Sequence, residues 1–238
     1  MPGKRYGYVE PMSTSDDTTK QKLIALGAIL AIVASALWIY RIEFATPQFN
    51  VPLHQAVGRV MAEETSRLVG HSGTVLIVAM DTSKAPELKV QLDAFENRLK
   101  LLGKITVKDR LMLDPGENPK YRPGSGLSAK RFLKIARKNA IVDAIVSFVG
   151  APELTDADLA RLKSVPTFVA EAHSPERLIP LLEKKILQVA IVPRYEFPAP
   201  GPRKPETDRQ WFDNKFQIVT LETVASVSKA RLGEAPEQ

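Results

Sequence analysis

Few residues in this chain combine the type and spacing that chemistry needs. Asp81, Thr82 and Ser83 set a carboxylate and two hydroxyls in succession, which is how some divalent-cation sites begin. The position two beyond Ser83 is Ala85, which has no donor atom, so Ser83 reads more simply as a cap for the helix that follows. Pro123-Gly124-Ser125-Gly126-Leu127-Ser128 leads into a helical segment and can offer backbone amides to an anion, but it lacks the Lys-Ser/Thr ending of a nucleotide phosphate loop. The segment behind it carries Lys130, Arg131, Lys134, Arg137 and Lys138 without an acid, a basic face suited to phosphates, anionic lipid or an acidic partner; solvated surface is the default. His54, His71 and His173 stand far apart, without ligand spacing or a nucleophile beside them. No cysteine is present, which excludes disulfides, thiolate metal sites and thiol catalysis. No catalytic residue, metal or cofactor is expected.

The dominant element of the chain is Leu23 to Tyr40, eighteen residues without a charge. As a helix it measures about 27 Å, close to the hydrocarbon thickness of a bilayer. Lys20 and Lys22 precede it, Arg41 and Glu43 follow it, and Trp38 and Tyr40 stand where an aromatic belt anchors one interface. A cleaved signal with Ala34-Ser35-Ala36 as its processing site is the rival reading. Against it, the preceding segment contains Glu10, Asp16 and Asp17, and the apolar run continues through Tyr40. The expectation is an uncleaved transmembrane helix over 22–42 behind a disordered cytoplasmic tail, 1–21. Lys4, Arg5, Lys20 and Lys22 outweigh Arg41 and Arg59, which puts the amino terminus in the cytoplasm and the remainder outside it. Gly27, Ala31 and Ser35 form a small-residue stripe at four-residue spacing through which two copies can pair.

Beyond the anchor, composition is that of an ordinary domain, 44% hydrophobic and 25% charged, enough for one core. The net charge of +6 suits an anionic surface or acidic partner, and no interleaving of aromatic and basic residues points to nucleic acid. Residues 43–72 carry Leu53, Val57, Val60, Met61 and Leu68 at helical spacing, an amphipathic helix connecting membrane to domain. From 73 to 195 short apolar runs alternate with helical stretches. Strands are expected at 74–80, 105–113, 140–149, 166–170 and 187–192. Helices lie between them, capped by Ser128, Thr155 and Ser174, ended by Gly103 and interrupted at Pro180. That alternation implies right-handed crossovers and an α/β fold: one doubly wound, mostly parallel five-stranded sheet with helices on both faces. Residues 196–238 read as a proline-rich linker and a tail with an aromatic segment, Trp211, Phe212 and Phe216, that either covers the domain, adds an edge strand or anchors a partner.

VDAIVSFVGAPELTDADLARLKSVPTFVAEA, with KLLGKITVKDRLML upstream of it, resembles the first lobe of type I periplasmic binding proteins. The resemblance covers 74–194 and implies the flavodoxin-like strand order 2-1-3-4-5. Members of that family close two lobes around a solute, and here one is legible. In a doubly wound sheet ligands collect at the carboxyl ends of the strands beside the switch point, here Asp81, Thr82 and Ser83 after the first strand and Val149, Gly150 and Ala151 after the third. The expected role is a membrane-anchored, non-catalytic extracytoplasmic module of an envelope assembly. Its partners are then the bilayer of the cytoplasmic membrane, other envelope proteins and a second copy. The alternative is a solute-binding or sensing component of a transport system that pairs its lobes by dimerisation.

Overall fold

The computed structural model describes residues 15–44, 49–113, 126–162, 165–195 and 205–232. They form two compact units divided after residue 48. The first is a single helix, α1 (Ser15–Phe44). Its segment Lys20–Arg41 is long and apolar enough to cross a membrane, and none of it is buried. A helix of a soluble core buries a stripe; this one leaves Leu23, Ile24, Leu30, Ile32 and Trp38 all more than half exposed. The expected tail is shorter than its assigned 1–21, because 15–21 already belong to α1; residues 1–14 lie outside the described set.

The second unit is a six-stranded sheet between two helical layers. In chain order it comprises α2 (Val51–Leu68), β1 (Ser72–Met80), α3 (Pro86–Leu102), β2 (Lys104–Leu113), α4 (Ala129–Lys138), β3 (Ala144–Ser147), α5 (Asp156–Ala160), β4 (Thr167–Glu171), α6 (Ile179–Glu183), β5 (Val189–Pro193), α7 (Asp208–Asp213), β6 (Phe216–Val219) and α8 (Val224–Leu232). Strand order is β2-β1-β3-β4-β5-β6. The first five strands are parallel, in the order 2-1-3-4-5, and β6 is added antiparallel to β5.

Successive side chains of a strand point to opposite faces, so a strand covered on both sides must be apolar throughout. Strand β1 obeys this: Leu76 and Val78 face one core, Val75, Ile77 and Ala79 the other, and all five are buried. The first core takes Phe132 and Ile135 of α4, Leu181 and Leu182 of α6, and Val224 and Val227 of α8. Residues of α2 and α3, with Phe212 of α7, fill the second. Edge-to-face pairs Phe132–Phe168 (5.1 Å) and Phe95–Phe148 (5.4 Å) lie one on each side.

Four sequence expectations need correcting. The sheet has six strands rather than five, because the aromatic C-terminal segment adds β6 at its edge and covers the domain, as one of its expected roles had it, and two helices accompany it. Helix α2 is a layer of the domain rather than a connector: Ala56, Val57, Val60, Met61 and Ala62 are buried in the core it shares with α3. Gly103 does end α3, but in an extended conformation, and glycine is needed because a Cβ would fall 2.1 Å from the His71 carbonyl oxygen. Of the expected caps, Thr155 forms a reciprocal box with Asp158, whereas the Ser128 and Ser174 side chains make no cap bond. Pro180 divides its helix as expected, into a 3-10 turn at Pro175–Arg177 and α6.

The crossing of α2 and α3 depends on Gly58. A Cβ there would lie 2.2 Å from the Gln91 carbonyl oxygen and 3.0 Å from the Phe95 nitrogen, both backbone atoms that cannot rotate away. Gly58→Ala is expected to force the helices apart and lower stability by about 2 kcal/mol despite alanine's better helix propensity, read as a reduced urea midpoint.

Candidate functional site

Strand order places the switch point between β1 and β3, beside whose carboxyl ends a doubly wound sheet takes ligands in a crevice. At the end of β1 the Asp81 carboxylate accepts from the Ser83 backbone N–H (3.0 Å) and from the Ser83 hydroxyl (2.8 Å). Asp81 is thus the cap, of a 3-10 turn at Thr82–Lys84, and Ser83 is the capped residue, the reverse of the sequence expectation. The Asp81 N–H in turn donates to the Leu113 carbonyl at the end of β2 (3.4 Å).

Beyond β3 the chain is held by the buried Ser147, whose hydroxyl donates to the Gly150 carbonyl (2.8 Å). Val149 is 3% exposed and faces the core, so of the three expected residues there only Gly150 and Ala151 can border the crevice. Gly150 (φ +112°) and Gly126 (φ +78°) meet backbone to backbone: a Cβ on Gly126 would fall 2.1 Å from the Ala151 oxygen, and one on Gly150 2.7 Å from the Gly126 Cα. Both conformations suit glycine alone. Gly126 therefore packs on the loop after β3, while residues 123–125 of the expected anion cradle lie outside the described set.

The sequence reading missed residues at the ends of β4 and β5. Glu171 is the last residue of β4 and pairs with Ile191 of β5. No group among the described residues hydrogen-bonds its carboxyl, and burial pushes its pKa up to about 7, although the residue keeps a partly exposed edge. Two residues on, burial lowers the His173 imidazole. The Tyr195 hydroxyl donates to the His173 carbonyl (2.6 Å), and burial raises its own pKa. Arg231 of α8 lies 5.6 Å from the centre of the Tyr195 ring and pairs with Glu176. Burial pushes the Glu176 carboxyl up, but its bond to Arg231 and the charges of Arg231 and Arg177 outweigh that and hold it below the usual range. Arg177 reaches back to Glu153, tying the loop after β4 to the loop after β3. An acidic residue closing an apolar strand, as in TFVAE, was the signal available, since strand ends are where parallel sheets place ligand contacts.

The remaining expected residues are accounted for separately. Phe212 is fully buried and stacks on Phe216 at 6.0 Å, while Trp211 and Phe216 are partly buried against the same core. Gly27 meets nothing within 4 Å, and Ala31 and Ser35 are exposed. No group of three or more His, Asp or Glu residues forms a metal site among the described residues.

No family model and no curated protein matches this chain. Solved structures do resemble it. A sugar-binding protein of a sugar ABC transporter from Bacillus halodurans matches at 12% identity over 73% of this chain and 64% of its own, with a TM-score of 0.50. The arabinose-binding protein AraP from Geobacillus stearothermophilus matches at 10% identity over 73% and 63%, TM-score 0.49. A solute-binding protein of an ABC transporter from Burkholderia graminis, in complex with D-arabinose, matches at 14% over 73% and 61%, TM-score 0.48. The chain thus spans less than two thirds of the length of these proteins. The α/β fold of the domain is similar to that of the sugar-binding protein from Bacillus halodurans, with one sheet among the described residues.

Proposed function

We propose that this chain is a single-pass membrane protein whose extracytoplasmic α/β domain takes a small polar solute in the crevice at the carboxyl edge of its sheet, for sensing or uptake. The observation that carries the reading is Glu171, a partly exposed carboxyl at the end of a central strand that no described group hydrogen-bonds and whose charged form burial disfavours. Such a group is open to a ligand hydroxyl or cation. His173 and Tyr195 lie in the segments that follow β4 and β5, joined by the Tyr195 hydroxyl donating to the His173 carbonyl. The likeness in fold to sugar-binding proteins supports polyhydroxylated solutes as the first class to test. Lys20 and Lys22 before the apolar helix favour a cytoplasmic amino terminus, and Gly27, Ala31 and Ser35 are the stripe through which two copies would supply two lobes.

A second reading, a structural or interaction subunit of an envelope assembly, is favoured by the one sheet among the described residues, beside which no opposing jaw is described. The two separate in one experiment. The full chain in mild detergent is heated with a panel of pentoses and hexoses; a receptor gains about 2.7 kcal/mol at a hundred times its Kd, and Glu171→Gln diminishes the gain. Silence across the panel, with defined proteins co-purifying from native membranes, would instead establish the assembly subunit.

A further inference from the structure

Helix α4 carries five basic residues and no acid of its own. Lys130, Lys134 and Lys138 stand at four-residue spacing, a column about 12 Å long on one side of the helix, with Arg137 alongside. All four are exposed, and none has an acidic partner among the described residues. They border an open groove of about 870 Å³ whose far side supplies Arg161 and a single carboxylate, Asp158. The Thr155 backbone and hydroxyl already bind that carboxylate. A second groove, toward β2, shares Lys134 and Lys138.

We infer that this lysine column docks on the headgroups of an anionic phospholipid bilayer. Lysine is a compact charge on a flexible stem and acts as a point charge toward a diffuse array of phosphates, with no fixed fork geometry to satisfy. The same chain carries a helix able to cross a bilayer, and residues 45–50 alone separate it from α2, so lipid is the polyanion within reach. The inference adds to the anchor reading a second contact, made by the domain itself.

The full chain is reconstituted into nanodiscs of phosphatidylcholine, or of phosphatidylcholine with one third phosphatidylglycerol, and acetylation of the three lysines is followed by mass spectrometry. Slower labelling in anionic discs, reversed by 0.5 M salt as expected for screened charges, supports the contact. Equal labelling in both discs overturns it, and protection seen only in native membranes overturns it in favour of an acidic protein. Insertion is read separately by alkaline washing. An alkali-resistant chain with unchanged labelling leaves the anchor standing without this contact. An alkali-extracted chain that still floats with anionic but not neutral vesicles retains the contact and loses the anchor; one that floats with neither loses both. In that flotation each of Lys130→Gln, Lys134→Gln and Lys138→Gln is expected to weaken binding about fivefold, the triple variant about a hundredfold, with an unchanged melting temperature showing an intact fold.

Discussion

Phe212→Ala is expected to lower the stability of the domain by about 4 kcal/mol, read as a large fall in the urea midpoint with little change in slope. The side chain is fully buried among residues of α2 and the sheet, stacks on Phe216, and carries the Arg209 guanidinium 5.5 Å from its ring centre. Truncation removes the transfer energy of an aromatic ring and leaves a cavity between elements that cannot collapse, because α7 is held on both sides. Thr207 and Gln210 form a reciprocal cap at its start, and Asp208 bonds Arg59 of α2 at 2.6 Å. An anchor for a partner protein would behave oppositely: stability would be untouched and complex formation lost. A midpoint unchanged within error would restore that role and remove the segment from the fold.

The second large effect is on pH. The Glu171 carboxyl has a folded pKa of about 7 against an ordinary 4.5 when unfolded, because burial disfavours its charged form. The native state therefore holds the proton more tightly, and its stability is greatest below about pH 4.5 and declines as pH rises through 7. Two and a half units correspond to about 3 kcal/mol. Asp143, Asp158 and Glu176 are lowered, so they lose their contribution at more acid pH and the windows do not coincide. Glu171→Gln is expected to flatten the decline between pH 5 and 7.5 and to make the variant the more stable protein at pH 7.5. Parallel profiles for the two proteins would mean that the carboxyl is solvated, and the crevice would lose its strongest polar element.

These two side chains also mark where sequence and structure part. Leu23 to Tyr40 is readable as a helix able to cross a bilayer because that capacity depends on local composition and length. The five parallel strands are readable because runs such as TVLIVAM announce burial on both faces, and alternation with helices leaves few topologies open. The order 2-1-3-4-5 is what the resemblance of VDAIVSFVGAPELTDADLARLKSVPTFVAEA to a periplasmic-binding-protein lobe implies, since crossover handedness alone leaves several orders open. Thr155 could be assigned as a cap since capping acts over three residues.

What the linear chain does not contain is the surroundings that its own distant parts provide. Whether Phe212 faces a partner or a core depends on α2, some 150 residues earlier, returning to meet it. The amphipathic pattern of α2 says that one face is buried, not against what, and only the packed helices reveal Gly58 as their point of closest approach. Glu171 looks like any glutamate after an apolar run. Its raised pKa arises from the low-dielectric neighbourhood assembled by β3, β5 and the loops around them. Periodicity and capping are short-range and are written residue by residue, whereas desolvation and close approach belong to pairs of segments, and only the tertiary fold decides those.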